Sequence, residues 1–184
     1  MSLKEYNQLK EVFSKVSIAS DVEGILHWDM STMMPSNSRQ NRANQLAFIA
    51  NLKHSLLSDP SVTELISNID SGQLSKNDLT NFKEMQREYV LLSSLPSDLV
   101  EAISKTSALC EGKWQEAKKN CDFSIVKNSL NELINLSRQE SEILSEKLNC
   151  SPYEALIQKY EPYSNVDHIT KVFKDLEIFL LSSI

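Results

Sequence analysis

Three glycines and five prolines in 184 residues leave this chain short of what a sheet-rich fold needs for its many tight turns. Such turns draw on residues that accept positive φ or hold φ near −65°. A chain poor in both is committed to long helices. The apolar spacing agrees. Tyr6, Leu9, Phe13 and Val16 recur at three- and four-residue steps, and the pattern runs on through Val22, Ile25 and Leu26 to Met30. Ser2 with Glu5 forms a capping box for this first helix. Gly24 marks a kink or a close contact, and Pro35 ends the segment.

The same reading predicts a series of further helices. One spans about Arg39 to Leu57, with Leu46, Ile49, Leu52 or Lys53, and Leu56 on one side. Asp59-Pro60 supplies an N-cap and first-turn proline for a short helix carrying Val62, Leu65 and Ile66. Another runs from about Ser75 to Ser93, and Leu95-Pro96-Ser97 punctuates the chain after it. The next carries Leu99, Ile103, Ala108 and Trp114 as far as the turn at Asn120-Cys121-Asp122. A long helix follows, from about Phe123 to Leu148. Ser151-Pro152-Tyr153-Glu154 starts a short one with cap, proline and capping acid in register. Glu161-Pro162 interrupts it, and Ser164 and Asp167 open the last helix. No segment alternates with a two-residue period, so no strand is predicted. The expectation is an all-α single helical segment over residues 1–184. The apolar stripe of the last helix is still running at Ser182-Ser183-Ile184, as in a domain that has been truncated.

Charge and composition exclude several functions. Twenty-five acidic against nineteen basic residues give a net charge of −6, without a basic block, which argues against nucleic acid and anionic membranes. The N-terminus lacks the apolar stretch of a secretory signal, and the longest apolar runs are too short to cross a bilayer. Cys110, Cys121 and Cys150 are odd in number and without a CxxC pair, as expected of reduced thiols in a cytoplasmic protein.

The search for chemistry is mostly negative. An HExxH helix would present two histidines to zinc and a glutamate as general base. His27, His54 and His168 are followed by Trp28, Ser55 and Ile169, so none begins that motif. Glu23 and His27, four apart, share a helix face. A surface hydrogen bond accounts for such a pair more readily than a two-ligand metal site. His54, beside Lys53, reads as solvent-facing, and His168 as part of a helix start. No GxSxG elbow or glycine-rich phosphate loop is present. Trp28 and Trp114 read as core or groove-wall aromatics.

One set of residues is more specific. Leu26-His27-Trp28-Asp29, Thr32-Met33-Met34-Pro35, Arg42-Ala43 and Gln45-Leu46 resemble the N-terminal signature of the thermostable (Taq-type) metallocarboxypeptidases. In the same order come Leu95-Pro96 with Leu99-Val100, Trp114 with Ala117-Lys118, and Asp122-Phe123. Tyr153-Glu154-Ala155-Leu156, Tyr160-Glu161-Pro162, and Phe173 with Leu176 follow. The shared order covers nearly the whole chain.

The resemblance implies the multi-helix N-terminal portion of a helical metallopeptidase fold with a deep central groove. Members are cytoplasmic zinc peptidases, commonly dimers, that remove single residues from peptide C-termini. Their zinc ligands and catalytic residues lie beyond the matched region. The resemblance therefore implies no catalytic, cofactor or metal residue in this chain, with zinc and peptides belonging to the full-length enzyme. His27, Trp28, Asp29, Pro35, Arg42, Gln45, Trp114, Tyr160, Glu161 and Pro162 are expected to be structural. Among them, Trp28 would be buried, and Asp29 would bond a backbone amide or His27. The competing role is to line the substrate groove. Where the family has glycine after Tyr-Glu-Pro, this chain has Tyr163. An alternative function is that of a helical interaction protein, or a remnant of a split gene, pairing with itself or with a separate catalytic half.

Overall fold

A helix of 31 residues sets the frame. In the computed structural model, which describes residues 2–183 without the Ser2 side chain, α1 spans Ser2–Thr32. The expected Ser2–Glu5 capping pair falls outside the described residues. The first half of α1 buries Tyr6, Leu9, Phe13 and Val16, the stripe its spacing predicts. These pack with Leu57, Val62, Phe82 and Met85. Each such side chain contributes roughly 1.5–3 kcal/mol by leaving water. Tyr6 meets Phe82 edge-to-face at 6.5 Å, and its hydroxyl accepts a 3.0 Å hydrogen bond from Asn81 Nδ2.

The second half of α1 departs from the expected stripe. Leu26 and Met30 lean on Ala43, Leu46 and Ala108, whereas Val22 and Ile25 are exposed. At 100° per residue, Ile25 lies about 100° round the helix from Leu26, off the side that meets a neighbour. Gly24 marks no close contact: α1 continues through it, and a Cβ built there would meet nothing within 4 Å.

Helix α2 (Arg39–Leu57) is central, packing on α1, α4 and α5. It buries Ala43, Leu46, Ala47, His54 and Leu57, so Leu52 lies outside its buried stripe. Asp59 caps α3 (Pro60–Asn68) by accepting from Ser61 N at 2.8 Å, with Pro60 in the first turn as predicted. Ser75 caps α4 (Lys76–Ser93). The α5 helix (Ser97–Asn120) comes so near α2 that a Cβ on Gly112 would stand 2.7 Å from Arg39 Cδ. It ends at Cys121, whose φ of 53° is left-handed. Asp122 Oδ1 then accepts from Ser124 N at 2.9 Å at the start of α6 (Ser124–Leu148).

The chain divides into two compact units, residues 1–137 and 138–184, with the boundary inside α6. In the second unit Glu140 is buried and paired with Lys159 at 2.6 Å. The capping box of α7 (Pro152–Ile157) is present, Glu154 N donating to Ser151 Oγ at 3.3 Å and Ser151 N to Glu154 Oε2 at 3.2 Å. Asn165, not Ser164, caps α8 (Val166–Ser182), its Oδ1 accepting from His168 N at 2.8 Å. Asn165 is extended at φ −134° and ψ 165°, and its amide oxygen reaches the third residue on. No strand occurs among the described residues, and no helix there is long and apolar enough to cross a membrane.

Candidate functional site

Arg42 gathers the first signature residues. Its Nη2 donates to Asp29 Oδ2 at 2.6 Å, its Nε to Gln45 Oε1 at 2.9 Å, and its Nη1 to the carbonyl of Leu26. The Arg42 side chain is 12% exposed and that of Asp29 34%. A planar fork of donors suits this task, since one side chain satisfies three acceptors in fixed geometry. The result ties the end of α1 to the start of α2 across a tight corner. In that corner Met33 N and Met34 N both donate to Asp29 O at 2.9 Å, and Pro35 opens a 3-10 turn, Ser36–Ser38. The Asp29 carboxylate thus bonds Arg42, whereas a backbone amide or His27 was expected.

Trp28 lies on the far side. It is 63% exposed, against the expected burial. Leu26 and Met30 take the face toward α2, and Trp28, two residues from each, is turned about 200° away from that face. Its indole therefore turns away from the α1–α2 core. His27 is also exposed.

A second feature was not expected from the sequence. Antiparallel α5 and α6 enclose an open groove of about 750 Å³. Cys110, Trp114 and Ala117 line it from α5, with Val126, Leu130 and Leu133 from α6. Phe123 stands at the hairpin end, and Lys118 Nζ sits 5.3 Å from the Trp114 ring centre. The volume lies in the range of small-molecule sites, and the lining is apolar with a few polar groups. Asp122, also at this end, has its carboxyl held below the usual range by its hydrogen bonds with Ser124. Its trace in the sequence is a pair of apolar stripes on either side of the turn at 120–122, which gives no groove until the helices meet. Trp114, half exposed, is a groove-wall residue.

Tyr160, Glu161 and Pro162 belong to the second unit, in the loop before α8. Tyr160 is exposed, and Tyr163 takes the left-handed conformation at φ 64°. Glycine would suit that backbone, and Tyr163 adopts it at a steric cost.

The donors present do not fit zinc. Glu23 is paired with Lys53 Nζ, not with His27. His54 is not solvent-facing. It is buried, its Nε2 bonding Leu95 O at 2.7 Å and Ser58 Oγ at 3.2 Å. Helix α2 is enclosed on several sides, so even the position next to Lys53 points inward. His168 sits in the first turn of α8, as its sequence suggests. Among the described residues, no group of three or more His, Cys, Asp or Glu side chains could hold a metal ion.

Comparison with known proteins identifies the pattern. The family model for carboxypeptidase Taq (M32) metallopeptidase matches residues 8–184. Thermostable carboxypeptidase 1 of Thermus thermophilus is 24% identical, over 94% of this chain and 36% of its own length. Carboxypeptidase 1 of Bacillus subtilis is 22% identical, over 91% of this chain and 33% of its own. The crystal structure of BsuCP superposes with a TM-score of 0.82 at 21% identity, covering 94% of this chain and 35% of that one. Trypanosoma cruzi metallocarboxypeptidase 1 superposes at 0.79 with 28% identity, covering 97% and 36%. The chain thus spans about a third of the length of the relatives it matches.

Proposed function

The chain belongs to the carboxypeptidase Taq (M32) metallopeptidase family, and on that footing we propose that it supplies a helical wall of the peptide groove in a zinc carboxypeptidase. The observation that carries this reading is the open apolar groove between α5 and α6, with Trp114 on its rim, in a chain the family matches almost throughout. An open apolar trough with an aromatic edge accepts side chains of many shapes, because burial is non-directional. That suits a peptidase that removes varied residues from peptide C-termini. The Arg42 clamp on Asp29 holds the corner between α1 and α2, so the wall keeps its shape.

Zinc, where it is bound in the complete enzyme, polarises the scissile carbonyl and activates water. On this reading its ligands and the general base lie in the two-thirds of the relatives' length that this chain does not match. This chain alone is then without peptidase activity, and its compartment is the cytoplasm.

A chimera tests the reading. The matched third of Trypanosoma cruzi metallocarboxypeptidase 1 is replaced by this chain, and release of C-terminal residues from peptides is followed with zinc. We expect activity, and a Trp114→Ala version with raised KM and little change in kcat. A chimera that folds and binds zinc yet releases nothing would sink the proposal.

A further inference from the structure

Two opposite charges line the α5–α6 groove two turns apart on one helix. Glu111 and Lys118 both line it from α5, with Trp114 between them. Seven residues of α-helix advance about 10 Å and return to within about 20° of the starting side. Neither side chain is held by an ion pair among the described residues. Lys118 keeps its ammonium 5.3 Å from the Trp114 ring centre, at the rim. Asp122, the third charge on the lining, is already engaged, its Oδ1 accepting from Ser124 N at 2.9 Å.

The floor between the two charges is apolar. Cys110, Ala117 and Val126 are buried there, with Leu130 and Leu133 packed against them. The groove of about 750 Å³ lies wholly within the first unit. A ligand that matches it carries a cation and an anion about 10 Å apart with apolar groups between, since that is the helical spacing of the two charges. A fatty acid answers Lys118 alone and lays its methylene groups past the Glu111 carboxylate. An alkylammonium answers Glu111 alone. An extended tripeptide with free ends answers both, because three residues of extended chain span about 10 Å. Its apolar side chains gain by leaving water against the floor, whatever their shape.

We propose that Glu111 and Lys118 hold the two ends of a short apolar peptide in this groove, Glu111 taking the terminal ammonium and Lys118 the terminal carboxylate. The inference deepens the reading of the groove as a peptide-facing wall, and it rests on that reading for peptides to reach the site. Trp114 covers the middle residue. Both anchors and the floor belong to this chain, so binding needs no metal and no further polypeptide.

Titration of the 184-residue chain with trileucine, followed by NMR at its two indole N–H groups, tests it. The expected result is a saturable shift at one of the two. N-acetylation or C-amidation of trileucine each weakens binding about fivefold, the most that an ion pair at a wet rim supports. Each cost belongs to one residue. Acetylation costs nothing further in Glu111→Gln, and amidation costs nothing further in Lys118→Met. A merely structural role for either side chain gives no such crossed pattern. The Lys118 half of the test stands by itself where Glu111→Gln fails to fold, because Lys118 is exposed. Absence of saturable binding overturns the proposal. So does an acetylation or amidation cost that persists in the matching variant, or decanoate binding as tightly as trileucine. Trileucine binding beside a folded but inactive chimera leaves this site standing and refutes the wall reading. An active chimera beside a chain that ignores trileucine does the reverse.

Discussion

Arg42 Nη2 stands 2.6 Å from Asp29 Oδ2, and this ion pair holds the first two helices in their corner. The same guanidinium reaches the Leu26 carbonyl and Gln45. Arg42→Leu leaves a half-buried carboxylate and a backbone carbonyl without their partner. The expected loss of stability is roughly 2 kcal/mol, less than for a fully buried pair because Asp29 keeps some water. Asp29→Asn retains an acceptor and should cost under about 1 kcal/mol. Urea midpoints of the two variants check both the size and the order.

Tyr163 adopts φ 64°, a left-handed backbone that glycine takes without strain. A left-handed non-glycine residue costs about 1–2 kcal/mol, while glycine adds freedom to the unfolded chain worth about 0.5–1 kcal/mol. Tyr163→Gly should therefore stabilise the chain by up to roughly 1 kcal/mol, read as a raised melting temperature. A lowered one would mean that the exposed ring contributes contacts outweighing the strain.

His54 closes the α2 end by bonding Leu95 O and Ser58 Oγ. His54→Leu keeps the volume and removes the ring nitrogen, leaving the carbonyl of Leu95 unpaired. The cost should be about 1–3 kcal/mol. Denaturation of His54→Gln gives the control, since its amide can restore one bond and should recover part of the loss.

Acid should weaken the fold through its helix caps. Hydrogen bonds from Ser61, Ser75, Ser124 and Ser151 hold Asp59, Asp78, Asp122 and Glu154, respectively, below their ordinary 3.8 or 4.5. A depressed folded value means the stability is present above the unfolded value and lost as pH falls through the folded one. The urea midpoint should drop as pH falls below about 4, and Glu154→Gln should make that drop shallower. Tyr6 acts at the other end. Burial raises its phenol above 10.0, so its stability is present below that pH and lost as pH climbs through the folded value.

What the sequence made legible were the features set locally. The caps at Asp59-Pro60 and Ser151-Pro152-Glu154 are satisfied within three residues of chain, and they form as read. The stripe from Tyr6 to Val16 is the sole apolar face of its stretch, so its burial followed from spacing. Val22, Ile25 and Trp28 differ because α1 is apolar on more than one side there. Which side meets α2 is decided by packing against Ala43 and Leu46, a relation between distant residues. His54 was misread for the same reason, since its partner Leu95 is 41 residues away. The resemblance to the family rested on residue order, and the fold agrees with it. The α5–α6 groove needed the two helices to be brought together before it could be seen.

The central claim is that this chain shapes a peptidase groove without carrying the chemistry. The direct measurement is release of C-terminal amino acids from a peptide mixture by the purified 184-residue chain with added zinc. The account predicts release no greater than in buffer with zinc alone. Zinc-dependent release that a chelator abolishes and fresh zinc restores would contradict it.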